Sequence, residues 1–269
     1  MNNVNSKLPF ANKDLGQHFL RDDKVINQIC NDLVNEAEAI IEVGPGPGIL
    51  TRNLHGHGKP FYVIEKDERF PELLREFMPA ENILLQDALT VNLDEFISTR
   101  DMDDKKIWLV SNLPYNVGVP LMINFIQCEK IKYMTLMFQK EVADKVIPFM
   151  TREGKAMGSL MALTQNYFDV KLLCKVPPGA FQPPPKVDSA VISLSRKDNP
   201  EIPLSEFRKY EKYLRAVFLH KRKQLGKVLK ASFASDKVEQ AFINLGIDKT
   251  VRAEALGLDK IQALYKELK

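Results

Sequence analysis

No apolar run in this chain approaches the roughly 20 residues that a membrane-spanning helix requires, so no membrane partner is expected. The opening stretch Met1-Asn2-Asn3-Val4-Asn5-Ser6 has no apolar centre and does not read as a secretory signal, which makes the cytoplasm the expected compartment. Cysteine is scarce. Cys30, Cys128 and Cys174 lie far apart, and an odd count without paired spacing fits neither a disulfide framework nor a zinc site. Cys30 and Cys128 fall within apolar helical patterns and read as packing residues. His55 and His57 are close, but further metal ligands are lacking nearby, so no metal is expected. Internal repeats and low-complexity tracts are also missing, and net charge is small, +3 over 269 residues.

What is present suits a soluble globular protein: 45% hydrophobic and 27% charged residues, enough for one large domain or a large and a small one. Short apolar runs alternate with helical patterns. They are Ala39-Ile40-Ile41-Glu42-Val43, Phe61-Tyr62-Val63-Ile64, Ile83-Leu84-Leu85, Ile107-Trp108-Leu109-Val110 and Tyr133-Met134-Thr135-Leu136-Met137-Phe138. Strands separated by helices predict an α/β fold with a mostly parallel sheet. Residues 167–173 and 189–194, joined by a proline-rich loop, predict an antiparallel edge. The polar stretch 195–203 carries Pro200 and Pro203 and reads as a linker. Beyond it the pattern is helical throughout, so a domain 1–199 and a small all-α domain 200–269 are expected. The basic excess belongs to that tail, which holds 15 Lys and Arg against 9 Asp and Glu. Lys221, Arg222, Lys223, Lys227 and Lys230 cluster in a helical stretch, a pattern that suits either a solvated helix face or a polyanion partner.

Chemistry concentrates at the ends of the predicted strands. The first runs into Glu42-Val43-Gly44-Pro45-Gly46-Pro47-Gly48, where Gly44 and Gly46 let a ligand approach the backbone. The second ends at Glu65, 21 residues past Gly44, where an acid commonly holds ribose hydroxyls. The third ends at Asp87, a possible acceptor for an adenine amine. The fourth ends in Asn112-Leu113-Pro114-Tyr115. Asn112 offers a side-chain carbonyl, Leu113 offers a backbone carbonyl, and Pro114 has no N–H, so two acceptors converge where one NH2 group could sit. Tyr115 could stack on the ring carrying that amine. Taken alone, the tetrapeptide also fits an ordinary strand-to-helix turn.

Together these pieces resemble the class I S-adenosylmethionine-dependent methyltransferases, a Rossmann-like fold, in their amino-methylating branch. Leu15-Gly16-Gln17-His18-Phe19-Leu20, residues 42–48, Asn112 to Tyr115, Gln139-Lys140-Glu141-Val142, Phe181-Gln182-Pro183-Pro184-Pro185-Lys186-Val187-Asp188-Ser189-Ala190-Val191 and Arg252-Ala253-Glu254 resemble the KsgA family. These are the small-subunit ribosomal RNA adenine dimethyltransferases. The resemblance runs from about residue 10 to the end of the chain.

That resemblance implies S-adenosyl-L-methionine held by His18, Leu20, Gly44, Glu65, Asp87 and Asn112. It implies catalysis by Asn112, Leu113, Pro114 and Tyr115, with Tyr115 and Phe181 sandwiching a flipped base. It implies, as substrate and partner, 16S rRNA in the small ribosomal subunit or its precursor, methylated at two adjacent adenosines near the 3′ end, with the basic tail on RNA. Two departures stand out: His18 replaces the Asn of many relatives, and Val117-Gly118-Val119 replaces a more polar segment. A monomer is expected. The competing readings are a 23S rRNA adenine dimethyltransferase and a ribosome-assembly binding factor with secondary methylation.

Overall fold

The computed structural model describes residues 10–12, 16–147, 156–220 and 222–269. Contact density divides the chain into two compact units, Met1–Asp144 with Lys171–Ser195, and Lys145–Val170 with Arg196–Lys269. The expected cut at 199–200 therefore meets a chain in which residues 145–170 group with the C-terminal stretch.

The strands are β1 (Phe19–Leu20), β2 (Ala39–Val43), β3 (Phe61–Glu65), β4 (Ile83–Leu85), β5 (Ile107–Asn112), β6 (Ile131–Gln139), β7 (Phe168–Val176), β8 (Phe181–Gln182) and β9 (Ser189–Arg196). Seven form one sheet in the order β4-β3-β2-β5-β6-β9-β7. Strands β4 to β6 are mutually parallel through this order, and β9 runs antiparallel to β6. The expected mostly parallel sheet with an antiparallel edge is borne out. Every residue of β2 is buried, as is every residue of β5 up to Ser111, the pattern of central strands covered on both faces. The indole of Trp108 donates to Thr135 Oγ1 (2.9 Å), and that hydroxyl donates to Asp32 Oδ2 (2.7 Å), so this buried polar chain is satisfied.

The first unit's helices are α1 (Asp23–Asn31), α2 (Thr51–His55), α3 (Pro71–Leu74), α4 (Leu93–Ser98), α5 (Gly118–Gln127) and α6 (Lys140–Asp144). Asp22 caps α1 by accepting from the N–H groups of Lys24 and Val25, and the helix buries Val25, Ile26, Ile29 and Cys30. Cys30 and Cys128 are both buried, and burial pushes each thiol up to about 12, which suits packing residues.

The second unit holds α7 (Ser159–Tyr167), α8 (Phe207–Phe218), α9 (Leu225–Leu229), α10 (Ser235–Asn244) and α11 (Leu258–Leu268). Its helical character is as expected. Asn166 explains why α7 belongs here: its Nδ2 donates to the Ile202 carbonyl, and its Oδ1 accepts from Ile202 N–H and Gln262 Nε2. All three bonds are buried, so losing a partner would strand polar groups away from water. Around them, Tyr265 packs against Tyr210 and Tyr213 with ring centroids 5.1 and 5.2 Å away.

Candidate functional site

The strand order reverses between β2 and β5: β3 and β4 lie on one side, β6 on the other. A crevice opens at the carboxyl ends of parallel strands at such a reversal. Here it is a cavity of about 200 Å³ lined by Gln17, His18, Leu20, Gly44, Glu65, Asp87 and the whole segment from Asn112 to Tyr115, among others. The four strand ends singled out in the sequence thus converge on one rim.

After β2 the backbone runs through glycines with φ of +69° at Gly44, +55° at Gly46 and +88° at Gly48. Pro45 and Pro47 fix their own φ at negative values between them. A Cβ at Gly48 would come within 2.7 Å of the Phe77 ring, whereas at Gly44 it would meet no protein atom within 4 Å. Gly44 therefore presents bare backbone to open space, a cradle for a ligand rather than a packing contact.

Glu65 is buried against this turn. Its Oε2 accepts from Gly46 N–H (2.9 Å), and its Oε1 accepts from the N–H groups of Lys66 (2.8 Å) and Asp67 (2.7 Å). A carboxylate has about four acceptor positions, so one remains on Oε2 for a ligand hydroxyl. Burial raises its pKa, while the three backbone donors oppose that shift. Asp87 accepts from Leu89 N–H and pairs with Lys66 Nζ at 2.8 Å, and that ammonium holds its carboxyl below the usual range.

Asn112 is oriented by its own amide: Nδ2 donates to the His18 carbonyl at 3.1 Å. A carbonyl only accepts, which fixes the nitrogen there and leaves Oδ1 as the free acceptor. Ser111 Oγ donates to the Val43 carbonyl at 2.6 Å, tying the end of β5 to the end of β2. Tyr115 lies with its ring centroid 5.4 Å from that of His18 at an interplanar angle of 28°. His18 Nδ1 stands 2.8 Å from the Pro183 carbonyl and so carries a hydrogen. Its Nε2 is then an acceptor in the neutral ring, and donation to a cofactor carboxylate requires the imidazolium.

Leu20 is buried and lines the cavity, and it pairs with Phe181 across the two-residue ladder of β1 and β8. Phe181 itself is only 4% exposed and sits in the hydrophobic core with Leu20, Val176 and Ala180. It is not brought to the cavity with Tyr115 in this conformation. Of the basic residues, Arg222 and Lys223 lie in the turn between α8 and α9, Lys227 lies on α9, and Lys221 is outside the described residues. A single helical face through Lys223, Lys227 and Lys230 is not formed. Between the buried Phe218 and Leu225 no apolar residue anchors a helix, and Leu219 is 70% exposed. Lys230 is engaged with Glu239 at 2.5 Å.

Sequence reasoning missed the lock on the motif before the sheet. Asp67, buried after β3, accepts from Gln17 Nε2 (2.8 Å) and from Arg69, and the Arg69 guanidinium holds its carboxyl down at about 2. Among the described residues no group of three or more His, Cys, Asp or Glu is placed to hold a metal, and His57 Nε2 contacts the Cys30 carbonyl.

Glu42 lies beneath the glycine turn, fully buried, with Oε2 accepting from Thr51 Oγ1 at 2.7 Å. Burial raises its pKa to about 8. An unfolded Glu ionises near 4.5, so between that value and about 8 the native state binds the extra proton, and stability falls as pH rises through this window. Glu42→Gln is expected to flatten that fall by a few kcal/mol, on the order of the linkage for such a shift. Urea unfolding at pH 5 and pH 8.5 measures it; parallel slopes for both proteins would overturn the assignment.

A parallel sheet reversed beside a glycine turn, with acids at the next two strand ends and an amide-bearing tetrapeptide at the fourth, defines the class I methyltransferase architecture. The profile of the ribosomal RNA adenine dimethylase family matches residues 10–269. The chain belongs to that family, as its motifs led one to expect. It is 35% identical to ribosomal RNA small subunit methyltransferase A of Clostridium botulinum strain Okra, over 94% of this chain and 92% of that one. It is equally 35% identical to the Clostridium acetobutylicum protein of the same name, over 95% and 93%. Among solved structures, the 23S rRNA methyltransferase ErmE is similar at a TM-score of 0.66 and 25% identity, covering 93% of this chain and 99% of its own. A Plasmodium falciparum dimethyladenosine transferase shares the fold at a TM-score of 0.72 and 22% identity, covering 92% and 96%.

Proposed function

We propose that the protein transfers methyl groups from S-adenosyl-L-methionine to the N6 amines of two adjacent adenosines near the 3′ end of 16S rRNA, in the small ribosomal subunit or its precursor. The observation that carries this reading is the anchoring of Asn112, whose amide nitrogen is held by the His18 carbonyl so that Oδ1 is left as an acceptor on a residue that lines the cavity beside Leu113. The curated relatives at about 35% identity bear a small-subunit name, which favours 16S over 23S rRNA. The protein acts in the cytoplasm as a monomer.

The cavity fits such a cofactor on its own chemistry. The bare turn at Gly44, the remaining acceptor on Glu65 and the Asp87 carboxylate suit an aminoacyl group, a ribose and an adenine respectively. When bound, S-adenosyl-L-methionine supplies a methyl group on a positively charged sulfur. Asn112 Oδ1 and the Leu113 carbonyl accept the two hydrogens of the adenine amine, which favours a more tetrahedral nitrogen with an available lone pair. Tyr115 stacks on the base and offsets part of the few kcal/mol that flipping costs. Positioning and electrostatic complementarity carry the catalysis. Arg222, Lys223 and Lys227 contact phosphates, with Lys221 beside them in sequence.

Incubating the protein with labelled cofactor and unmethylated small or large subunits, then mapping modified nucleotides by mass, tests the reading. Two adjacent dimethyladenosines in 16S rRNA are expected; label confined to 23S rRNA would overturn it. A binding factor without chemistry would yield no label. Replacing Arg222, Lys223 and Lys227 together with alanine is expected to weaken subunit binding. It should also reduce the slope of log affinity against log salt by up to about 3, one per phosphate contact. An unchanged slope in a filter-binding titration would remove these residues from the interface.

A further inference from the structure

Ser189 opens β9 and is wholly buried. Its Oγ lies 2.6 Å from the phenolic oxygen of Tyr115. The sheet register explains the reach: Asn112 pairs with Met137 on β6, and Gln139 on β6 pairs with Ser189. The segment leaving β5 and the first residue of β9 thus flank the same end of β6.

A tyrosine ring attached only at its Cβ has a broad terminal torsion, so its tilt is poorly set by its own rotamer. Here the ring is held at three places. The main chain of the tetrapeptide fixes one end and Ser189 the hydroxyl at the other. His18 lies against one face, itself tethered to the Pro183 carbonyl. Burial raises the pKa of Tyr115, so the phenol stays protonated as a hydrogen-bonding group.

We propose that Ser189 is a positioning residue for methyl transfer, its hydroxyl locking the Tyr115 ring at the tilt needed to stack on the target adenine. The inference rests on the reading of Tyr115 as the base-stacking residue. Ser189 lies outside the cavity lining and acts through Tyr115, and the bond joins the tetrapeptide to the segment that follows the proline-rich loop. A serine present only to fill the start of β9 would leave the chemical step alone once the protein is folded.

The test is a double-mutant cycle on single-turnover methylation of unmethylated small subunits, with Ser189→Ala, Tyr115→Phe, both together, and Ser189→Thr. Ser189→Ala and Tyr115→Phe are each expected to slow the chemical step roughly 10-fold, as a modest misorientation does. Cofactor affinity should be unchanged, the double variant no slower than either single one, and Ser189→Thr substantially restored. Additive losses, or full activity in Tyr115→Phe, would overturn the proposal. If Ser189→Ala does not fold, Tyr115→Phe still removes the same hydrogen bond from the half-buried side. An Asn112→Ala arm separates the two levels. Full activity there sinks the reading of the site, whereas coupling between Ser189 and Tyr115 is read independently of it.

Discussion

Asn112→Ala is expected to reduce single-turnover methyl transfer by at least ~100-fold, the scale seen when one preorganised polar group is taken from a transition state. The substitution deletes the Oδ1 acceptor and also the Nδ2 donor that binds the His18 carbonyl at 3.1 Å. The first loss weakens the grip on the adenine amine; the second frees the carbonyl that set the side chain's orientation. Because Asn112 is only half-buried, the fold should lose little stability. Binding to small subunits should persist, since the proposed phosphate contacts lie elsewhere. Asn112→Asp keeps an acceptor but turns a carboxylate oxygen toward the His18 carbonyl, so it should not rescue. Rapid-quench measurement with saturating cofactor decides: a rate within threefold of the parent would end the proposed mechanism.

Glu65→Ala carries the second large effect, in cofactor affinity. Three backbone N–H groups, those of Gly46, Lys66 and Asp67, lose their acceptor. Hydrogen bonds to a charged group are worth about 1.5–3 kcal/mol each, so the turn that shapes the cavity loosens while the ribose contact is also lost. A 10- to 100-fold rise in the cofactor dissociation constant is expected, with a lowered melting temperature. Glu65→Gln should fall between, because an amide supplies one acceptor oxygen and places NH2 against a donor. Calorimetric titration reads the affinity. Parent-like binding by Glu65→Ala would remove Glu65 from the cofactor site, and a binding loss without any thermal shift would show that the backbone bonds contribute nothing to the turn.

The parallel strands and the placing of Gly44, Glu65, Asp87 and Asn112 at their ends were legible because each rests on local pattern: an apolar run followed by residues suited to a rim. Features set by contacts distant in sequence were not. The tether of His18 to Pro183, the link of Tyr115 to Ser189 and the clasp of Gln17 on Asp67 join residues far apart along the chain. No periodicity announces such bonds. Phe181 illustrates the same limit from the other side, since an aromatic suited to stacking is, in this fold, paired with Leu20 and buried. The spacing of the basic run is visible in the sequence, but between Phe218 and Leu225 the one apolar residue, Leu219, is exposed, and α8 ends at Phe218. Residues 145–170 looked like a continuation of the α/β pattern; long-range bonds such as those of Asn166 to Ile202 and Gln262 tie α7 to the C-terminal stretch instead.

That tie bears on how the chain is made. As it emerges from its amino end, α7 appears well before Ile202 and Gln262, so Asn166 and the apolar side of α7 must wait about 100 residues for their final partner. The first unit, by contrast, has all its residues once Ser195 is out. Synthesis therefore favours completion of the first unit before the second. A fragment ending at residue 199 would lack Ile202 and Gln262, the partners that satisfy Asn166 on that helix.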